Sequence, residues 1–164
     1  MTIQQGEYGP NYQAHLLEQY KLYVEMADRI SSRRLSTNSF FLSINTAIIA
    51  LLSYINMGSN NGSSFYCLVS LAGMTLCLMW NKLLRSYKDL NTAKFEVIHE
   101  IEAKLPLAPY DSEWEKVENG NNSKLYLPFT HIEFYIPWVF FVIYVFVLLN
   151  NLYIISLIKI ACGE

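Results

Sequence analysis

Polybasic runs, paired cysteines and glycine-rich loops are all missing from this chain. With no Lys/Arg run and a net charge of −2, nucleic acid drops out as a partner. The three cysteines, Cys67, Cys77 and Cys162, lie far apart without a CxxC pair or a clustered histidine, which argues against a disulfide framework or a zinc centre. No GxSxG, HExxH, P-loop or dinucleotide signature occurs, so the expectation is a protein that is not an enzyme and uses no metal or other cofactor. The opening MTIQQGEYGPNYQ lacks a basic stretch followed by an apolar core, and no secretory signal is expected there. Charge itself is scarce: 16% of the 164 residues are charged and 52% are hydrophobic, which points to a membrane.

What is present is three long uncharged stretches. Residues 39–57, SFFLSINTAIIALLSYINM, match the roughly 20 residues needed to cross a hydrocarbon core and form the first expected span. A turn-forming loop over 58–64 leads to the second, residues 65–80, which ends at Trp80. The third, residues 134–158, is the most apolar; it opens on an interfacial aromatic cluster, and Pro137 is expected in its first turn, where a missing N–H costs least. Its Phe, Tyr, Trp, Val and Ile residues make it oily nearly all round, the expected character of an outer, lipid-facing helix.

Cations set the expected orientation. All but Lys159 lie in residues 1–38 and between spans two and three, and none occurs in the 58–64 loop, so the positive-inside rule makes both charged segments cytoplasmic and the tail, 159–164, external, with Lys159 as its one cation. The cytoplasmic segments read as amphipathic helices. Leu16, Tyr20, Tyr23, Ala27 and Ile30 recur at steps of four and three, a seam for another helix and a candidate oligomer contact. No Gly or Pro lies between Tyr12 and Asn56, so this helix is expected to run into the first span, for a length of about 65 Å at 1.5 Å per residue. The second span likewise is expected to continue over 81–105 until Pro106 and Pro109 stop it, with 106–133 as a connector. The fold class is therefore an all-α membrane protein, with spans one and two extended into a cytoplasmic helical hairpin and packed in a homo-oligomeric bundle.

Two stretches could be mistaken for chemistry. Glu96 and His99 have Glu-x-x-His spacing, but a di-iron bundle needs a second copy and further carboxylates, so Glu96, His99, Glu100 and Glu102 read as the wet side of a helix. In the first span Ser39, Ser43, Thr46, Ala50 and Ser53 share one face. They either let helices approach closely or, together with nearby Asn45, line a water-filled path. Cys67, Ser70, Gly73, Cys77 and Asn81 offer a comparable face in the second. No titratable side chain lies in any span core, which argues against proton-coupled transport. Arg29, Arg33 and Arg34 sit near the membrane surface, where contact with lipid headgroups is expected and a charged pore entrance is the alternative.

Ser86-Tyr87, Leu90-Asn91, Lys94-Phe95, Val97-Ile98, Glu102, Leu105-Pro106, Pro109-Tyr110 and Glu113-Trp114, following Trp80, resemble the RipA family of octameric membrane proteins. The upstream YVEMADRISSRRLSTNSFFLSINTAIIALL is similar to that family too. The resemblance implies a bacterial inner-membrane protein assembling as a ring of eight. Two functions stay open. One is a channel-like homo-oligomer. The other is a membrane-anchored scaffold, or an antiphage or stress-response effector, that recruits a cytoplasmic partner through its helices, with Tyr87, Asn91, Phe95 and Trp114 as contact candidates.

Overall fold

A computed structural model describes residues 5–58, 63–121 and 129–162, with side chains over 5–54, 64–121 and 132–153. All regular structure among the described residues is helical. The elements are α1 (Gln5–Tyr8), α2 (Tyr12–Gly58), α3 (Ser63–Glu102), α4 (Pro109–Lys116), a single 3-10 turn (Glu118–Gly120) and α5 (Phe129–Cys162). Three stretches, Tyr12–Tyr54, Ser64–Glu102 and Ile132–Tyr153, are long and apolar enough to cross a membrane. This is the all-α, three-span class that the uncharged stretches predict. Residues 122–128, in which the Leu125-Tyr126-Leu127 cluster is an expected docking point of the connector, the centre of the 58–64 loop and the side chains of 129–131 and 154–164 lie outside the described residues.

Helix boundaries follow glycine and proline. Gly9, at φ +95°, separates α1 from α2, and the Tyr12 N–H donates to the Gly9 carbonyl at 3.2 Å. With no further Gly or Pro before its end, α2 continues unbroken to Gly58. The expected stop of α3 at Leu105 falls three residues late. The Lys104 and Leu105 N–H groups already bond the Ile101 and Glu102 carbonyls in the tighter three-residue pattern, each at 2.9 Å, because Pro106 disfavours a helical Leu105. Pro109 opens α4 rather than closing α3, since its fixed φ suits a first helical turn, so the 106–133 connector contains a helix of its own. Pro137 differs as well: α5 begins at Phe129, which puts the proline inside the helix, where it has no N–H to donate to the preceding turn.

The chain divides into two compact units, Met1–Arg34 with Ser86–Pro128 and Leu35–Arg85 with Phe129–Glu164. In the second unit, Phe41, Trp80 and Leu84 form one core cluster with Phe134, Ile136 and Phe140 against it; Leu52, Cys77 and Tyr144 form another. The Phe41 and Trp80 rings stack at 5.6 Å. Helix α5 is therefore not lipid-facing all round. Pro137 and Tyr144, two turns apart, are fully buried, and only its other faces, such as Tyr135, Val142 and Phe146, are exposed.

In the first unit Leu16, Ala27 and Ile30 of α2 are buried, as are Ile98 and Ile101 of α3. Tyr20 bonds Glu102, and the Lys94 ammonium lies 5.3 Å above the Tyr23 ring. The Leu16–Ile30 seam is thus filled by α3 of the same chain. Tyr20 and Tyr23, expected as contacts between copies, are half-buried and meet α3 within the protomer.

Candidate functional site

Helix α2 presents two chemically different faces in the second unit. Ser39, Ser43, Thr46, Ala50 and Ser53 are all exposed, so the hydroxylated face has no role in packing this chain on itself. The Thr46 and Ser53 hydroxyls donate to the Leu42 and Ile49 carbonyls at 2.8 and 2.9 Å, which leaves their oxygens able to accept. Asn45 does not share this face. Two residues beyond Ser43 it is turned by about 200° at 3.6 residues per turn, and it is completely buried. Its amide donates to the Phe41 carbonyl at 2.8 Å, and its carbonyl oxygen accepts from the Cys77 thiol at 3.6 Å. Asn45 is an internal polar tie, not part of an outward path.

Helix α3 turns its small residues inward. Of the expected face, Ser70, Gly73, Cys77 and Asn81 are buried and Cys67 is half-buried. Gly73 is the tightest point: a Cβ there would overlap the Tyr144 ring. At one end of this seam the Trp80 indole N–H donates to the Asn38 side-chain oxygen at 2.8 Å, and Arg85 donates to Asn81 at 3.0 Å. These bonds satisfy the Trp80 N–H and the Asn81 oxygen, groups that would cost several kcal/mol, roughly 2–7, if buried alone, whereas Asn81 Nδ2 and Ser70 Oγ have no partner among the described residues.

The first unit is organised around a residue that the hydropathy pattern misplaces. Glu102 looks like part of a wet face but is 1% exposed. Its carboxylate accepts from the Tyr20 hydroxyl at 2.8 Å and from the Tyr110 and Asp111 backbone N–H groups at 3.1 and 3.3 Å. The last two are the free donors of the first turn of α4, whose own cap position, Ala108, offers no side-chain bond. Glu102 therefore caps α4 from the end of α3, favoured also by the positive end of that helix dipole. Burial first, and the Glu102 hydrogen bond second, push the Tyr20 hydroxyl well above its ordinary range and keep it a donor. The sequence did hold a signal: the turn between Pro106 and Pro109 returns a new helix start to the end of α3.

The remaining candidates fall on different surfaces. Arg29 bonds Glu25 on its own helix, Arg33 is exposed and Arg34 is half-buried. Tyr87, Asn91 and Phe95 are half-buried on α3, and Trp114 is 42% exposed on α4. Asn91, Phe95 and Trp114 line one cavity of about 550 Å³ together with His99, Tyr110 and Glu113; Tyr87 is not among its lining residues. Glu96 is exposed, while the His99 Nδ1 lies 3.6 Å from Glu102 and 4.0 Å from Asp111. Among the described residues no group of three or more His, Cys, Asp or Glu is placed to hold a metal ion.

Residues 17–153 match the family model described as the octameric membrane protein family (8xMP). The match supports the octameric-membrane-protein part of the resemblance and does not carry the RipA designation. No curated protein and no solved structure matches the chain.

Proposed function

The chain belongs to the octameric membrane protein family, and from that premise we propose that eight copies close into a channel-like ring in the bacterial inner membrane. The observation that carries this reading is the exposed Ser39, Ser43, Thr46 and Ser53 face of α2. The Thr46 and Ser53 O–H groups are satisfied within the helix, but their oxygens can still accept, and another protein or water opposite them offers donors that lipid tails lack. A ring supplies both, and hydroxyl oxygens along its axis suit a passive aqueous path.

In this reading the exposed apolar faces of α5 meet lipid, and the N-terminus and the Ser86–Pro128 segment are cytoplasmic, with the C-terminus outside. Arg33 contacts anionic headgroups. The cores of the three spans hold no Asp, Glu, Lys, Arg or His, which favours passive conduction over proton coupling, and no catalysis is assigned. Purified protein reconstituted in planar bilayers tests the reading. Unitary conductance steps that shrink in Ser43→Leu and Thr46→Leu support it, and silent bilayers containing intact rings contradict it.

A further inference from the structure

The cavity between α3 and α4 has a specific chemistry. Phe95, Tyr110 and Trp114 give it aromatic walls, with Phe95 and Tyr110 edge-to-face at 5.5 Å. Glu96 and Glu113 add negative charge at its lining. One buried acceptor, Asn91 Oδ1, has no hydrogen-bond partner among the described residues, while His99 Nδ1 faces the Glu102 and Asp111 carboxylates. Aromatic faces, carboxylates and an amide oxygen lacking a donor together suit a guanidinium, which brings five N–H donors and a plane that stacks.

The same unit exposes a matching surface. Leu22, Met26, Arg29 and Arg33 recur at steps of four, three and four on α2, and all are exposed. The contacts Tyr20–Glu102 and Tyr23–Lys94 set α2 against α3, so that Leu22 is about level with His99, Met26 with Phe95 and Arg29 with Asn91. Copies embedded in one membrane share a depth. An α2 face on one copy therefore meets the cavity of its neighbour at the right height, with apolar residues opposite rings and Arg29 opposite Asn91 and the carboxylates. The two surfaces differ from one another, which is the head-to-tail arrangement that closes rings. Arg29 gives up only a solvent-exposed bond to Glu25 on its own helix, a weak kind of ion pair.

We infer that the cavity lined by Asn91, Phe95, His99 and Trp114 is the socket for α2 of the adjacent copy, and that Arg29 is the residue it holds. This rests on the ring proposed above and names its cytoplasmic contact. It also explains how copies meet although the Leu16–Ile30 seam is already filled.

The test co-expresses two full-length chains with different tags, one carrying Met26→Cys and the other Thr92→Cys, at the lip of the socket. Oxidation in membranes is expected to give a mixed-tag disulfide species, absent when either substitution is present alone. Adding Arg29→Glu to the first chain is expected to reduce that species to the single-substitution background, and Glu96→Arg in the second chain to restore it. Intact rings by particle mass without the mixed-tag species overturn the socket and leave the ring standing. A monomeric unsubstituted protein overturns both.

Discussion

The Tyr144 ring occupies the space that a side chain at Gly73 would need, so α5 is locked onto α3 by the absence of a single methyl group. Gly73→Ala is expected to destabilise the protein by about 1–3 kcal/mol, the usual cost of forcing extra volume into a packed core. Removing most of the ring with Tyr144→Leu is expected to relieve part of that cost in the double variant. Thermal or denaturant unfolding in detergent of the two single variants and the double reads the coupling directly.

Glu102 predicts a second stability effect. In Glu102→Gln an amide N–H₂ must compete for the space in which one carboxylate served Tyr20 and two backbone donors. The expected loss is about 1–3 kcal/mol, because buried donors are left unsatisfied. Limited proteolysis is expected to cut first around α4 in this variant, whereas cutting there at the wild-type rate contradicts the distal cap.

Tyr20 adds a pH signature of defined sign. Its folded-state hydroxyl titrates above the unfolded value of about 10 because of burial and then Glu102. The stabilising contribution is therefore complete below that unfolded value and is lost as pH rises through the folded one. The stability difference between wild type and Tyr20→Phe is expected to be flat between neutral pH and about pH 9, then to shrink under more alkaline conditions. A difference that instead varied around neutral pH would assign the effect to another group.

Position along α2 separates conduction from packing. Ser43→Leu alters the exposed face and is expected to reduce conductance. Asn45→Leu, two residues away, replaces a side chain buried against Cys77 and is expected to leave conductance unchanged in folded protein. Equal loss in both variants would mean that the path does not follow the exposed face.

These residues also show what the chain's pattern makes legible. The lengths of α2 and α3 follow from where Gly and Pro are absent, and the small face of α3 follows from 3.6-residue spacing. Asn45 was drawn toward the serine face by its neighbours in sequence, although 100° per residue turns it to the opposite side. Periodicity also identifies the Leu16–Ile30 face as buried without saying what buries it. Here α3 of the same chain does so, and the partner of a second copy has to be sought elsewhere on the surface. Glu102 escaped because a carboxylate on an amphipathic helix reads as solvated until the turn beyond it brings two free backbone N–H groups within reach.

A projection image of the purified particle down the membrane normal bears most directly on the ring. Eight copies around a central opening walled by the Ser39, Ser43, Thr46 and Ser53 face of α2 is the expected result. A particle of another symmetry, or one whose axis is filled by the Tyr135, Val142 and Phe146 face of α5, would contradict it.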